Sequence, residues 1–257
     1  MLSAHYCAAL EVHGEWQQGA VIIGKVEPGT QVSFSSHKLS LTDDGKFVIG
    51  LGRDAPAQVS ITTIYKGKSE QHQFSVKARK YEIQKVEGVP QATVEPNPEQ
   101  EARIKREAEL VSNARKVDLP LTSFLQKFEW PLVGPISGVY GSQRIYNGVP
   151  KTPHYGLDIA MPVGTLVKAP AGGVVTLVHP DMFLSGGTLI IDHGHGLSST
   201  FIHLSKILVK EGDKISQGQE IALVGKTGRA SGPHLHWAMN WFEERVDPEL
   251  MVQNIGK

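Results

Sequence analysis

The sequence has little of what marks cysteine-rich or nucleic-acid-binding proteins. Cys7 is its single cysteine, which excludes an intrachain disulfide and a cysteine-rich zinc module but still allows an exported protein. Lys+Arg and Asp+Glu number 26 each, and no long run carries one sign of charge, so we predict no nucleic-acid partner. Any metal site must therefore use histidine and carboxylate ligands.

Long apolar runs are also missing. No window approaches the roughly 18 to 20 apolar residues of a membrane-spanning helix, so we predict no transmembrane segment in this chain. The start, MLSAHYCAALEV, lacks a basic n-region and a full apolar h-region, yet Cys7-Ala8-Ala9 resembles a signal-peptidase site. We interpret this start as the remnant of an export signal, with an ordinary N-terminus as the alternative.

Short β-strand patterns on both sides of one helix predict a mainly β protein. Residues 1–90 contain runs such as AVIIGKV and AQVSITTIYK, separated by turn sequences, and predict an accessory domain resembling a β-sandwich. Residues 91–128 combine a Pro-rich linker with a spacer helix, in which Asn97, Pro98 and Gln100 have the order of a capping box. Residues 129–257 return to short strands, and we predict an antiparallel β roll with an open groove.

Most histidines of the last region belong to three short motifs. PHYGLD contains His154 and Asp158, whose spacing of four places both side chains on one face in either a helix or a strand. TFIHLS contains His203, and SGPHLHWAMN contains His234 and His236, which share one face of a strand. Exposed or hydrogen-bonded histidines are the alternative interpretation of each motif taken alone.

Together these residue types fit a catalytic zinc site. Such a site commonly has three protein ligands and an open fourth position, and His154, Asp158 and one member of the HxH pair would complete the set. Two neutral imidazoles and one carboxylate leave Zn²⁺ a residual positive charge, which polarises a carbonyl and lowers the pKa of bound water toward about 7. The other HxH histidine and His203 then remain for proton transfer or oxyanion binding.

In this order, PHYGLD, SSTFIHLS and GPHLHWAM resemble the HxxxD, His-Leu and HxH motifs of the lysostaphin-like (LytM-type) zinc metallopeptidases. The resemblance is dense from about Trp130 to Pro248. It implies Zn²⁺ as cofactor, with His154, Asp158 and His236 as ligands and with His203 and His234 in the catalytic places. It also implies peptidoglycan as substrate and a periplasmic or cell-envelope location.

The function implied is a zinc endopeptidase that cleaves peptide bonds in peptidoglycan stem peptides or cross-links. One alternative is a regulator that binds peptidoglycan or activates an amidase without turnover, although such relatives have lost ligands that this sequence retains. Another is an amidase that splits the bond between sugar and peptide. A regulatory protein partner is possible but unidentified, and the accessory region is hypothesised to lie over the groove and restrain activity.

Several other motifs have simpler interpretations. VGKTG lacks the first glycine and the strand-to-helix context of a phosphate-binding loop, and the hairpin-like VKEGDKISQGQEIALVG resembles biotinyl and lipoyl carriers only in its β pattern. Asp192, His193 and His195 form a candidate second metal cluster, for which a turn with hydrogen-bonded imidazoles is the preferred interpretation. We expect His179 to lie in a loop. Trp130, Trp237 and Trp241 either line the groove or pack in the core.

Overall fold

The first part of the chain forms two small antiparallel sheets. The computed structural model describes residues 9–35, 37–86, 97–146 and 149–252. The sheets have the strand orders β1-β2-β5 and β4-β3-β6-β7. The strands of this part are β1 (Glu11–His13), β2 (Val21–Lys25), β3 (Gln31–Phe34), β4 (His37–Lys38), β5 (Lys46–Gly50), β6 (Gln58–Tyr65), β7 (Lys68–Ser75) and β8 (Ile83–Val86).

Buried aliphatic and aromatic side chains hold these two sheets together, as expected for a sandwich-like arrangement. Ile22 and Phe47 on one sheet and Ile61 on the other are fully buried in a common core. The turn at Asp44-Gly45 lies against the end of β2, where a Cβ at Gly45 would be 2.0 Å from the carbonyl oxygen of Val26. The proposed signal remnant lies outside the described residues, except for its last few positions.

Helix α1 (Pro98–Arg115) begins with the predicted capping box. The Asn97 side chain accepts a hydrogen bond from the Gln100 backbone N–H at 2.9 Å, and the Gln100 side chain accepts one from the Asn97 N–H at 3.0 Å. Near its other end the helix packs Ala114 and Val111 against Leu177 of the following sheet. No helix in the described part of the chain is long and apolar enough to cross a membrane.

The last part of the chain is built on one large antiparallel sheet. Its strand order is β18-β14-β15-β16-β20-β12-β9, with β21 paired to β20, and a smaller sheet has the order β13-β19-β17. The elements are β9 (Ile136–Gly138), β10 (Gln143–Tyr146), β11 (Val149–Pro150), β12 (Leu157–Ile159), β13 (Leu166–Lys168), β14 (Gly173–Met182), β15 (Gly186–Gly194), β16 (Leu197–Leu204), β17 (Lys206–Ile207), β18 (Lys214–Ile215), β19 (Glu220–Leu223), β20 (Leu235–Trp241), β21 (Glu244–Val246) and helix α2 (Pro248–Val252).

The mainly β fold class with antiparallel sheets is confirmed, with two differences of detail. Strand β8 pairs in parallel with β10, placing Ile83 opposite Gln143, whereas the sequence suggested only antiparallel neighbours. The prediction that His179 lies in a loop is wrong, because β14 continues through it with an irregular register against β15. The shift accommodates Pro180, which cannot donate a ladder hydrogen bond.

The accessory sheets pack directly on the large sheet. A Cβ at Gly50 would lie 2.5 Å from Cβ of Trp241, so the strands approach closely where this glycine has no side chain. Arg79 also forms an ion pair of 2.7 Å with Asp247, whose side chain is 1% exposed. One continuous hydrophobic core therefore contains residues from both parts. The boundaries at residues 90 and 128 remain predictions, and much of the linker lies outside the described residues.

Candidate metal centre

Neighbouring strands place two of the proposed ligands directly opposite each other. Asp158 on β12 pairs with His236 on β20 in the register of the large sheet, so both side chains extend from the same face. His154 precedes β12, and its backbone is held by hydrogen bonds from its N–H to Ser142 O (2.8 Å) and from the Gly141 N–H to its carbonyl (2.7 Å). The sheet and this anchored loop thus bring three distant sequence positions together.

The three proposed ligand atoms form a compact triangle. His236 Nδ1 lies 2.7 Å from Asp158 Oδ1, and His154 Nε2 lies 3.1 Å from the same oxygen and 3.0 Å from His236 Nδ1. Ligand atoms of a tetrahedral zinc ion, with bonds of about 2.0–2.2 Å, are separated by about 3.3 Å. The three atoms, 2.7–3.1 Å apart, lie slightly closer together than this, so small side-chain shifts would accommodate an ion. Among the described residues, this is the one group of this kind able to hold a metal ion.

The hydrogen bonding around the triangle also fits a cation. His154 Nδ1 lies 3.0 Å from the carbonyl oxygen of Val139, which assigns the proton to Nδ1 and leaves the Nε2 lone pair facing the triangle. A neutral His236 with its lone pair on Nδ1 faces the same point, as does the Asp158 carboxylate. Three electron-pair donors at this separation repel one another unless a positive charge lies between them. The donor set of two imidazoles and one carboxylate therefore fits zinc.

Ionisation of the ligands matches this interpretation. Without a metal ion, burial opposes the charge on Asp158, but hydrogen bonds from ring N–H groups of His154 and His236 outweigh burial and hold the pKa of the carboxyl well below its ordinary value, and a bound cation would replace those ring protons. Burial also lowers the pKa of His236, against the attraction of Asp158. A charged carboxylate beside a neutral imidazole is the protonation pattern that metal binding requires.

His203 and His234 lie beside the ligands. Their ring centroids are 4.7 Å apart, and the His203 ring centroid is 6.4 Å from that of His236. His203 Nδ1 is 2.8 Å from the carbonyl oxygen of Thr227, and His234 Nδ1 is 2.8 Å from that of Gly232. Each carbonyl assigns the proton to Nδ1 and leaves Nε2 available. All five side chains predicted to form the site therefore lie together.

The backbone of His203 has an unusual conformation. Its φ angle is 63°, in the left-handed region that residues other than glycine adopt infrequently. A hydrogen bond of 2.8 Å from its N–H to Ser185 O holds this conformation. The side chain is 7% exposed, and burial lowers the pKa of His203 to about 4, so the ring is neutral near pH 7.

No sequence motif predicted the groups that surround these side chains. Backbone carbonyl oxygens of Val139, Thr227 and Gly232 orient three of the four histidines, and any residue type provides a carbonyl. Two glycines leave room for ligands. A Cβ at Gly138 would lie 2.4 Å from Asp158 Oδ2, and one at Gly156 would lie 2.7 Å from His236 Nε2.

An open groove of about 1370 Å³ contains the site. Its walls include the segment Ile136–Val139 and the turn Phe183–Ser185, together with the loop Gly228–Ser231. The groove is also lined by Glu82 just before β8, by Gln84 on β8 and by Gln100 near the start of α1. The accessory part and the helix thus contribute to the groove, although the hypothesis that they restrain activity remains a prediction.

The candidate second cluster has a structural role in the described chain. His193 is fully buried, with Nδ1 on a backbone carbonyl oxygen at 2.7 Å and Nε2 on the Ser199 hydroxyl at 2.8 Å. His195 Nδ1 contacts Ser40 O at 2.8 Å. Burial lowers the pKa of His193 to about 4 and raises the pKa of Asp192 to about 7. These side chains point to separate partners, as predicted for hydrogen-bonded imidazoles, but only His195 lies in a turn, because Asp192 and His193 belong to β15.

The remaining candidates follow their simpler interpretations. Trp237 and Trp241 are buried, and Trp130 packs against the core as a partly buried side chain, so none of the three lines the groove. The segment VGKTG follows β19 and leads through a loop to β20, without the helix that a phosphate-binding loop requires.

Comparisons with known proteins agree with this site. The profile of Peptidase family M23 matches residues 152–248, which contain all five side chains. Peptidoglycan DD-endopeptidase ShyA of Vibrio cholerae is 48% identical over 89 residues, which are 34% of this chain and 20% of that protein. Peptidoglycan DD-endopeptidase ShyB of the same organism is 41% identical over 95 residues, which are 37% of this chain and 22% of that protein. The matched segment is thus about a fifth of each curated relative.

A solved structure is similar over nearly the whole chain. It is the crystal structure of a Pseudomonas aeruginosa protein described as an M23 peptidase. Sequence identity is 30% and the TM-score is 0.73, with 93% of this chain and 96% of that chain covered. The likeness therefore includes the accessory sheets as well as the segment that the family profile matches.

Proposed function

The chain belongs to peptidase family M23, and from this premise we propose that it is a zinc-dependent endopeptidase acting on peptidoglycan. Its substrates would be peptide bonds in stem peptides or cross-links. The named relatives are peptidoglycan DD-endopeptidases, which supports this substrate class and a location in the periplasm or cell envelope. The observation that carries the proposal is the triangle of His154, Asp158 and His236 beside two further histidines in an open groove.

The three ligands and the two neighbouring histidines have separate tasks. His154, Asp158 and His236 would hold the zinc ion, which when bound supplies a Lewis acid that polarises the scissile carbonyl and acidifies water. We assign His203 and His234 to orienting or deprotonating the attacking water and to stabilising the oxyanion. Their Nδ1 atoms are held by backbone carbonyls, so each Nε2 can accept or donate the proton.

The proton transfers of the hydrolysis balance in this arrangement. Water adds its oxygen to the carbonyl carbon, and one of its protons passes to a neutral imidazole Nε2. His203 can accept it, because burial keeps the ring neutral and Nδ1 holds the ring proton, which leaves Nε2 unprotonated. As the carbon–nitrogen bond breaks, the imidazolium returns the proton to the leaving amine. The second water proton, left on the new carboxyl group, also passes to the amine, so the products are a carboxylate and an ammonium group.

Metal analysis combined with digestion of isolated sacculi tests this assignment. We expect His236→Ala to lower both zinc occupancy and turnover, because it removes a ligand. His203→Ala should retain zinc and lower turnover by roughly 10²- to 10⁴-fold, the usual contribution of general acid–base catalysis. His13→Ala is the matched control, since His13 is exposed on β1 in the accessory part. Full zinc occupancy in the His236 variant would contradict the ligand assignment.

The products of digestion separate the alternatives. Zinc-loaded protein that releases no muropeptides would indicate a binding regulator in place of a hydrolase. Mass analysis of released products would reveal an amidase, since cleavage between sugar and peptide leaves different masses from cleavage within the peptide. The endopeptidase proposal requires products cut at a peptide bond.

A further inference from the structure

The loop between β19 and β20 places a guanidinium group in the wall of the groove. Arg229 is exposed and lines the groove together with His203 and His234. Its guanidinium has no hydrogen bond or ion pair with any residue that the structure describes. The carboxylate of Asp158, which also lines the groove, is already engaged by two imidazoles. Arg229 is therefore a cation that faces the groove with its donors available.

The backbone beneath Arg229 is firmly held. Its N–H donates to Leu184 O at 2.8 Å. The preceding Gly228 has φ 67°, and a Cβ there would lie 2.4 Å from the Gly186 nitrogen, so the two turns touch backbone to backbone. The Thr227 hydroxyl donates to Leu204 O at 2.9 Å and accepts from the Gly187 N–H at 2.9 Å. Binding a ligand would thus order only the arginine side chain.

The same loop orients one of the proposed catalytic residues. Thr227, whose carbonyl oxygen contacts His203 Nδ1, is two residues before Arg229, which limits the distance between their Cα atoms to roughly 7 Å. A group bound by Arg229 would therefore lie near the reacting bond. The planar guanidinium binds a carboxylate through two parallel hydrogen bonds, a geometry that a lysine ammonium does not provide.

We propose that Arg229 is a specificity-determining residue that binds a free carboxylate of the peptide substrate beside the scissile bond. This inference rests on the proposed peptidase function and narrows its substrate class. The favoured substrate is a peptide whose carboxylate next to the cleaved bond is unmodified, and the disfavoured one is the same peptide with that carboxylate amidated.

The test uses two synthetic peptides that contain one D,D-peptide bond and differ only in that carboxylate, free in one and a carboxamide in the other. We expect the zinc-loaded parent chain to prefer the free carboxylate by roughly tenfold in kcat/KM, mainly through KM. Arg229→Gln should lose that preference by slowing cleavage of the free-carboxylate peptide alone. Arg229→Lys should retain part of the preference, because lysine keeps the positive charge but cannot form the two parallel hydrogen bonds of a guanidinium.

Lys226→Gln is the matched control. Lys226 is an exposed cation of the same loop that does not line the groove, so its removal should leave the preference unchanged. Equal zinc content in all variants would show that the metal centre is intact. Equal losses on both peptides in Arg229→Gln, or an unchanged preference, would overturn the inference.

Equilibrium binding of the same two peptides distinguishes this inference from the proposed function. If the zinc-loaded parent cleaves neither peptide but binds the free carboxylate more tightly in a manner lost in Arg229→Gln, the hydrolase proposal fails and carboxylate recognition stands. If the parent chain cleaves the peptides but shows no Arg229-dependent preference in binding or rate, the hydrolase proposal stands and carboxylate recognition fails.

Discussion

Two residues without side chains decide where the ligands can lie. Gly138 on β9 is opposite Asp158 on β12, and the carboxylate occupies the space into which a Cβ at position 138 would project. Gly156 leaves similar room for the His236 ring. The metal centre therefore depends on the absence of atoms at these positions as much as on its donor atoms.

Replacing Gly138 by alanine should weaken metal binding without removing a ligand. The new Cβ would lie 2.4 Å from Asp158 Oδ2 and would push the carboxylate out of the triangle. We expect zinc affinity to fall by roughly 10- to 100-fold, as for other groups that orient metal ligands. Competition with a chromogenic chelator measures this. Gly232→Ala is the control, because no atom lies within 4 Å of its Cβ position; equal affinities of the two variants would refute the explanation.

The residue types in the sequence predicted the side chains of the site but not the backbone groups that orient them. The spacing of His154 and Asp158 and the alternation of His234 and His236 carry information because side-chain direction follows backbone periodicity. Their convergence with His203 depends on long-range strand pairing, which a local pattern does not specify. The carbonyl oxygens of Val139 and Thr227 have no signature in the sequence, since every residue has one.

At the scale of elements, helix α1 fixes one wall of the groove. Glu107, which is 9% exposed, accepts a hydrogen bond from the Phe183 N–H at 2.8 Å and forms an ion pair of 2.7 Å with Arg103. Arg103 also donates to the carbonyl oxygen of Asp181. The turn held in this way continues to Ser185, whose carbonyl receives the His203 N–H.

Loss of the Glu107 carboxylate should therefore loosen the turn. We expect Glu107→Ala to lower the free energy of unfolding by about 1.5–3 kcal/mol, because the Phe183 N–H and Arg103 lose their charged acceptor. Glu107→Gln should cost less, since its side-chain oxygen can still accept from Phe183. Urea unfolding measures both. Glu109→Ala, on an exposed position of the same helix, is the control, and a loss as large in that variant would argue against a specific contact.

Local patterns predicted individual elements better than their connections. The capping box at Asn97 and Gln100 was predicted correctly, because each partner is three residues from the other. The parallel pair β8–β10 joins segments about sixty residues apart, and the sequence IQKV of β8 has no alternation that would identify its neighbour. His179 was assigned wrongly because Pro180 suggested a loop, while the strand absorbs that proline at a register shift.

At the scale of the whole molecule, a polar contact joins the accessory part to the large sheet. Arg79 Nη1 donates to Asp247 Oδ2 at 2.7 Å, and its guanidinium lies over the Tyr81 and Tyr140 rings at 5.4 and 5.9 Å. The Asp247 N–H donates to Gly19 O at 2.8 Å. Since the hydrophobic core also continues across this boundary, we expect both parts to unfold together.

Arg79→Met should destabilise the whole chain by about 3–5 kcal/mol near pH 8, because it leaves a buried carboxylate without its cation. Burial raises the pKa of Asp247 even with Arg79 present. The folded chain therefore holds this proton more tightly than the unfolded chain, so stability falls as pH rises through the folded-state pKa. Removing Arg79 widens the pH range over which stability falls. The loss of stability in Arg79→Met, relative to the parent chain, should therefore shrink as the pH is lowered toward 4.

Urea unfolding at both pH values, followed by fluorescence and circular dichroism, measures this effect. Lys46→Met is the control, since solvent screens the exposed Lys46–Asp44 pair and its loss should change stability little. Adding Asp247→Asn to Arg79→Met should recover part of the loss. Separate transitions for the two probes, or a deficit independent of pH, would contradict a shared interface.

The register that places Asp158 opposite His236 has a consequence for how the protein is made. Since strand pairing and the core set these two donors, we expect the polypeptide to complete its fold before a metal ion binds. Maturation would then have two steps under separate control. Folding of the chain would depend on solvent and temperature, and metal binding would depend on the supply of free metal ion.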